Sequence, residues 1–389
     1  MISEYDFVVI GGGIAGVSVA AQLSEKSSVR LLEMEDQPGY HSTGRSAALF
    51  IESYGNNMVR ALTRASRKAF YNPPENFTAV QLVKPRQILI TASPGKAELL
   101  DTFKETLEAD DIVEYKSPEE AAALCPILKA EKFAGALLNS TPADIEVHEL
   151  QQAYLRILKK NDGVISLQSH ILDIQRDQGG WAITMPTNEV IRTSMVINAA
   201  GAWAGELGMK VGAFDIGLHP LKRSACLVNA PTGFDINAWP MVADVEEEFY
   251  IKPDAGMLLI SPSDETLTKP CDAQPDELDI AIAIDRIEQV TTLQIRRIAH
   301  KWAGLRSFVA DSSPVVGFDP IQPGFFWLAA LGGFGVQTAP ALSKVAASLA
   351  QGNPLDSELL DFGIDVASIA PGRTYQPLSD TPTIGVARL

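Results

Sequence analysis

The stretch DFVVIGGGIAG, residues 6–16, restricts the possible folds more than any other part of the chain. Phe7 to Ile10 are continuously apolar, as a parallel strand covered on both faces requires, and glycines follow at once. Gly11, Gly13 and Gly16 form G-x-G-x-x-G where that strand gives way to a helix. The first glycine permits the tight turn, the second lets backbone approach a pyrophosphate, and the third lets helix pack on strand. The helix N-terminus then stabilises the phosphate charge. Ile14 and Ala15 open the helix, and a second strand ends at Glu33, beside Met34. A carboxylate at that point can accept hydrogen bonds from a ribose diol. A tight turn that binds nothing is the competing reading, and strand, helix and acid together argue against it.

A chain of 389 residues with 46% apolar residues can bury a sizeable core. Its net charge of -16 argues against a nucleic-acid partner, because phosphate binding needs clustered Lys and Arg. The N-terminal MISEYDFVVIGGG lacks the basic and long apolar regions of a signal peptide, and no later run of about 18 to 20 apolar residues could cross a bilayer. A cytoplasmic protein without a transmembrane segment is the expectation. Cys125, Cys226 and Cys271 are far apart and form no C-x-x-C, so they read as three reduced thiols, with neither a disulfide nor a metal site.

Further along, QLVKPRQILITA (81–92) alternates as a strand, and EFYIKPDAGMLLISP (248–262) reads as two strands around a Pro-Asp-Ala-Gly turn. These predict a second domain of antiparallel sheet. The segment 163–207 holds strands and a Gly179-Gly180 hairpin and ends in an apolar strand that returns to the first sheet. GFFWLAALGGFGVQTAPALSKVAASLAQG (324–352) is again strand, glycine turn and helix, with Pro340 placed in a first helical turn. The nucleotide-binding domain is therefore discontinuous, over 1–80, 145–212 and 300–389, with 81–144 and 213–299 forming a substrate-binding domain. No internal repeat is visible, and the polar, Pro-interrupted tail from Pro371 reads as an extended end.

FAD and NAD share the glycine fingerprint, so the segment after Glu33 decides between them. QPGYHSTGRSAALF (37–50) supplies hydroxyls and backbone N–H groups for a second phosphate and a ring system, which a nicotinamide enzyme does not need. His41 within it reads as a loop histidine. Together with GGGIAG, VINAAGAWA, FYIKPDAGMLL, TLQIRR, WAGLRSFVAD and GGFGVQT, this segment resembles the FAD-dependent D-amino acid oxidase and dehydrogenase family over nearly the whole chain. Within it the order and spacing are most similar to the bacterial D-arginine dehydrogenases.

The resemblance implies an α/β fold: a glutathione-reductase-like FAD-binding domain of Rossmann-type βαβ construction, with a mixed or antiparallel-sheet substrate domain. It also implies cofactor contacts from Ser42, Thr43, Gly44, Arg45, Ser46, Ala47 and Ala48 in the arm after Glu33. Leu172, Ala200, Gly201 and Trp203 would contribute from the middle of the chain, and Gly332, Gly335, Val336, Gln337 and Thr338 from the last glycine turn. GGFGVQT offers no Cys or His for attachment, so the flavin is expected to be non-covalent.

Oxidation of an amino acid by a flavin takes the α-hydrogen as hydride, so the protein must supply orientation rather than a strong base. The substrate carboxylate calls for a guanidinium fork. Arg223 and Arg306 match the family's carboxylate-binding positions, with Tyr54 and Tyr250 as hydroxyl partners, and Arg306 stands in an apolar, Gly-containing run. Gly333 to Thr338 would aim a helix N-terminus at the flavin pyrimidine. Glu246 to Glu248 read as a solvated acidic run, although the resemblance puts Glu247 at the rim of the site.

SAALFIESYG (46–55) opens like a helix start yet groups Leu49, Phe50 and Ile51. Where the D-arginine enzymes carry histidine, threonine and glutamate, this chain has Leu49, Ile51 and Ile88. These three therefore form an apolar substrate pocket in one reading and plain core in the other. The expected reaction is oxidation of an uncharged D-amino acid to an imino acid, then a 2-oxo acid and ammonia. A secondary or cyclic amino acid or another amine is the first alternative, and a flavin-binding partner or sensor without turnover the second. The electron acceptor, whether a quinone, another carrier or O2, is left open.

Overall fold

A computed structural model describes residues 2–107 and 111–373. The first strand, Ile2–Ile10, starts earlier than the apolar run, and only its second half is fully buried. The helix Ile14–Leu23 follows, and then the strand Val29–Leu32, parallel to the first with Ile10 opposite Leu32. On the other side of the first strand lies Val190–Asn198, also parallel, with Ile10 opposite Asn198. Phe325–Ala329 pairs in parallel with the last residues of that strand. A hairpin at one edge and Val164–Ser166 at the other help complete an eight-stranded sheet. Helices Ile14–Leu23, Val147–Lys160 and Gly335–Ala350 cover one face, where Val17, Leu31, Leu150, Ile197 and Val345 are fully buried. Each such side chain contributes about 1.5 to 3 kcal/mol over exposure.

The second sheet has nine strands. Its centre runs from His219–Asn229 through Met257–Ser261, Tyr250–Asp254 and Met241–Asp244 to Ile88–Ala92. Successive side chains alternate between its faces. Leu89, Val242, Ile251 and Ile260 pack with Cys125 and Ile280 on one face, whereas Ile88, Ala243, Tyr250 and Leu259 pack on the other. A small third sheet joins Leu49–Phe50, Ala143–Ile145 and Val83–Pro85. Cys125 and Cys226 are buried free thiols and Cys271 is exposed.

Several local expectations change. QLVKPRQILITA is two strands, Val83–Pro85 and Ile88–Ala92, in different sheets. The break falls at Arg86, which pairs with Asp144 at 2.8 Å and donates to the carbonyls of Asn237 and Trp239. SAALF begins no helix: Leu49–Phe50 is a short strand, and the helix Asn57–Tyr71 starts only after Asn56, whose side chain accepts from the Val59 N–H. Pro340 sits beyond the first turn of Gly335–Ala350, inside the helix. The hairpin turn uses Gln178 and Gly179, both at positive φ, and Gly180 already begins the next strand. Strand Ile298–Phe308 pairs along its length with His219–Asn229, so 300–308, assigned from the sequence to the nucleotide-binding domain, lies in the second sheet. The tail expected to be extended lies, beyond Arg373, outside the described residues.

Candidate active site

A cleft of about 420 Å³ runs between the two sheets, from Glu33 and His170 at one end to Arg306 and Gly333 at the other. The glycine turn forms its floor. Gly11 has φ +108°, and a Cβ there would stand 2.4 Å from the Ala199 carbonyl oxygen. At Gly16 a Cβ would meet the Gly11 oxygen at 1.8 Å, so this glycine serves packing and does not reach the cleft. Gly13 is different: the nearest atom to a Cβ there is the Thr43 hydroxyl, 3.3 Å away. Its cleft side is open.

Glu33 is held by two backbone donors, Gly12 N–H at 2.6 Å and Glu35 N–H at 2.9 Å. The arm 39–47 folds over the cleft. Thr43 accepts from the Ile14 N–H at 3.0 Å, and Ser42 donates to the Leu305 carbonyl at 2.6 Å. Arg45 donates to the carbonyls of Ala273 and Ala303 and pairs with Asp272. The arm is therefore tied to both sheets. Gln151, buried on Val147–Lys160, donates to the Gly12 carbonyl at 3.0 Å. Lys252, 6% exposed, donates to the Ala47 carbonyl at 2.7 Å and pairs with Asp144.

At the far end, neighbouring strands of the second sheet bring two guanidiniums together. Arg223 stands on His219–Asn229 and Arg306 on Ile298–Phe308. The last glycine turn passes close to Arg306, with a Gly333 Cβ position only 3.1 Å from its guanidinium carbon. Burial lowers the Arg223 pKa, and the neighbouring Arg306 lowers it further. Burial also acts to lower that of Arg306, but Tyr54, Tyr250, Glu265 and Glu247 outweigh it and the net direction is up. Tyr54 is fully enclosed, its phenol pushed up to about 12 by burial, and among the described residues its hydroxyl has no hydrogen-bond partner. Such an enclosed hydroxyl beside two cations is suited to donate to an anion.

Arg223, Arg306, Tyr250 and Gly333 line the cleft together with Gly11, Gly13, Ile14, Ala15, Glu33 and Met34. So do Ser42, Thr43, Arg45, Ser46, Ala47, Ala200, Gly201, Trp203, Gly332, Gly335 and Val336. Other expected contacts are elsewhere. Leu172 is 60% exposed and Ile171 lines the cleft in its place. Gly44 and Ala48 are held back within the arm, and Thr338 is buried in the last helix. Gln337 instead accepts from the Ile51 N–H at 3.1 Å and donates to Thr63, fixing the segment that carries Tyr54. Leu49, Ile51 and Ile88 do come together in a packed cluster with Met241 and Tyr250, but of these only Tyr250 lines the cleft. Glu247 sits on a turn at φ 60° with one oxygen buried, unlike the solvated run expected there, while Glu248 pairs with Arg286 and Glu246 with Lys96.

Gln151, Lys252 and Glu265 were not singled out from the sequence. A glutamine on the apolar stripe of Val147–Lys160 was a signal for the first; nothing local marks the others, whose partners lie far away in the chain.

The sequence profile of the family described as FAD dependent oxidoreductase matches residues 6–349. The chain belongs to that family. Its cofactor is FAD, and its fold is the α/β arrangement described above. Glycine oxidase of Geobacillus kaustophilus is 21% identical over 385 residues, covering 94% of this chain and 97% of that protein. The crystal structure of glycine oxidase from Geobacillus kaustophilus superposes with a TM-score of 0.79 at 20% identity, over 96% of this chain and 100% of that one. L-proline dehydrogenase from P. horikoshii gives a TM-score of 0.79 at 20% identity, over 96% of this chain and 98% of that one. These similarities support the FAD dependent oxidoreductase family and not D-arginine dehydrogenases in particular. Among the described residues no helix is long and apolar enough to cross a membrane.

Proposed function

We propose that this member of the family oxidises the C–N bond of an α-amino acid, and that Arg306, Arg223 and Tyr54 bind the substrate carboxylate. The observation that carries the reading is the convergence of two buried guanidiniums on the wall of the FAD cleft; the Tyr54 phenol feels both charges from the packed side, without itself lining the cleft. Both guanidiniums line the cleft, and a guanidinium fork is the group best suited to take an entering carboxylate.

The cleft fits a dinucleotide flavin: Gly13 is open on the cleft side, and Glu33 is oriented by two N–H donors. Glu33 would hold the ribose, the N-terminus of Ile14–Leu23 the pyrophosphate, and the arm 42–47 with Gly332 to Val336 the ring system. Held there without a covalent link, FAD would supply the two-electron acceptor that takes the α-hydrogen as hydride. Arg306 and Arg223 would fix the carboxylate and with it the orientation of the α-carbon in the cleft. The amine loses its proton to solvent, and the imino acid product hydrolyses to a 2-oxo acid and ammonia. The electron acceptor is a small carrier such as a quinone, or O2.

The side chain determines the substrate class. An uncharged D-amino acid is the first reading, because Leu49, Ile51 and Ile88 offer no carboxylate for a cationic group, whose burial unpaired costs several kcal/mol. A secondary or cyclic amino acid is the second. It is favoured by the closed packing of the same three residues, with Ile88 only 3% exposed, which leaves little room for a bulky side chain on that face. Names among the relatives, glycine oxidase and L-proline dehydrogenase, agree with it.

Anaerobic titration of the yellow protein with D-, L- and N-methylated amino acids decides between them. Bleaching by D-leucine or D-phenylalanine supports the first reading, and bleaching only by glycine-like or secondary amines the second. Bound FAD that no amine reduces would leave a flavin-binding protein without turnover.

A further inference from the structure

The arm over the cleft ends in a backbone conformation that its own sequence does not favour. Ala48 has φ 31°, in the left-handed region that strains a residue with a Cβ and that glycine occupies freely. Here the arm leaves the cleft, which Ser46 and Ala47 line, and turns into the strand Leu49–Phe50. Such a conformation persists only where its surroundings fix it. Two carbonyls are caught at this point. That of Ala48 accepts from the Ile145 N–H at 3.0 Å, extending the pairing of Leu49–Phe50 with Ala143–Ile145. That of Ala47 accepts from Lys252 Nζ at 2.7 Å, across from the second sheet. The lysine side chain is 6% exposed, and a charge so deeply buried needs partners. Asp144 accepts from Lys252 at 3.1 Å and from Arg86 Nε at 2.8 Å, and Arg86 also donates to the carbonyls of Asn237 and Trp239. The carboxylate that orients the lysine is thereby fixed next to Ile145, the donor to Ala48.

We propose that Lys252 is a positioning residue for the flavin: its bond to the Ala47 carbonyl holds the left-handed turn at Ala48, and the turn keeps Ser46 and Ala47 on the wall of the FAD site. Lys252 does not line the cleft, so its effect passes through the arm. The inference rests on the reading of the arm as part of the FAD site and does not depend on which amine is oxidised. Without the ammonium, the Ala47 carbonyl loses its donor and Ala48 is free to relax toward the negative φ that alanine prefers, drawing the arm out of place. Ala48→Gly accepts the left-handed conformation without that bond, so it should compensate for loss of the lysine.

The test measures release of FAD from the loaded full chain, through the fluorescence of the freed flavin, together with hydrogen exchange of the segment 42–48. In wild type, bound flavin is expected to slow exchange in that segment. If it does not, the arm is no part of the FAD site and the inference falls with that reading. Lys252→Met should release FAD about tenfold faster or more, while Ala48→Gly and the double variant should both stay within about threefold of wild type. A lysine that merely supports the fold predicts no recovery in the double variant. Release from Lys252→Met within about threefold of wild type overturns the proposal, as does a double variant no slower than Lys252→Met, or fast release from Ala48→Gly alone. If Lys252→Met by itself fails to fold, the double variant decides: yellow protein with release near the wild-type rate supports the proposal, and unfolded or colourless protein overturns it. Bleaching by no amine would remove the proposed oxidation and leave this inference standing, because none of these measurements involves turnover.

Discussion

The Arg306 guanidinium carbon lies 3.1 Å from where a Cβ on Gly333 would stand, with Nη1 at 3.2 Å and Nε at 3.3 Å. A methyl group there must displace the end of a flexible side chain by a few tenths of an ångström, which the fold tolerates. The clamp does not, if orientation of the carboxylate controls the reaction. Gly333→Ala is expected to keep its flavin and its melting temperature while kcat/KM falls by roughly tenfold or more. Unchanged kcat/KM would separate Gly333 from the positioning of Arg306.

Arg306→Ala removes one partner of a buried ion pair with the substrate, at a cost of about 3 to 5 kcal/mol in transition-state binding. Arg223→Ala should be comparable. The adjacent Lys222 cannot substitute, because it points to the opposite side of the strand and pairs with Asp276 and Asp279. Steady-state kinetics on both variants, with flavin content measured alongside, checks this. A loss below roughly tenfold, about 1.4 kcal/mol, would remove the residue from the clamp.

The glycines of the first turn should separate by role. Gly13→Val meets only the Thr43 hydroxyl within 4 Å of its Cβ, so the protein is expected to fold and to be colourless, the side chain blocking the pyrophosphate approach. Gly16→Val collides with the Gly11 carbonyl and should not yield folded protein at all. Circular dichroism and flavin absorbance together distinguish the two, and a yellow Gly13→Val protein contradicts the assignment.

What the sequence made legible was local and periodic. The βαβ unit, the hairpin near Gly179 and the turn at Ala255-Gly256 follow from apolar runs bounded by residues that tolerate positive φ. What it hid depends on distant partners. The small-residue run before Leu49 reads as a helix start until Ala143–Ile145 offers it a strand to pair with. Pro85 and Arg86 break one alternating pattern into two sheets because Arg86 has acceptors near residue 238. Arg223 and Arg306 were readable as individual residues through the family resemblance, whereas their counter-anion Glu265 was not, since its meaning lies in a contact between separate strands.

Tyr54→Phe carries opposite expectations for stability and for catalysis. The hydroxyl is enclosed with no hydrogen-bond partner among the described residues, a cost to the substrate-free protein of about 1 to 3 kcal/mol. Removing it should leave the melting temperature equal or higher. A hydrogen bond to a charged substrate is worth about 1.5 to 3 kcal/mol, so kcat/KM should fall roughly tenfold or more. Thermal denaturation and kinetics on one preparation test both, and an unchanged kcat/KM would exclude Tyr54 as a donor.

The order of strands in the first sheet bears on how the protein acquires its colour. The strand Ile2–Ile10 has one neighbour close by in the chain, Val29–Leu32, while the other, Val190–Asn198, is far along it. The cleft walls run from Ile10 to Val336. Pairings this remote in sequence close slowly and late. One edge of the apolar strand therefore waits for a distant partner, and the flavin can be enclosed only once segments from Ile10 to Val336 are all in place.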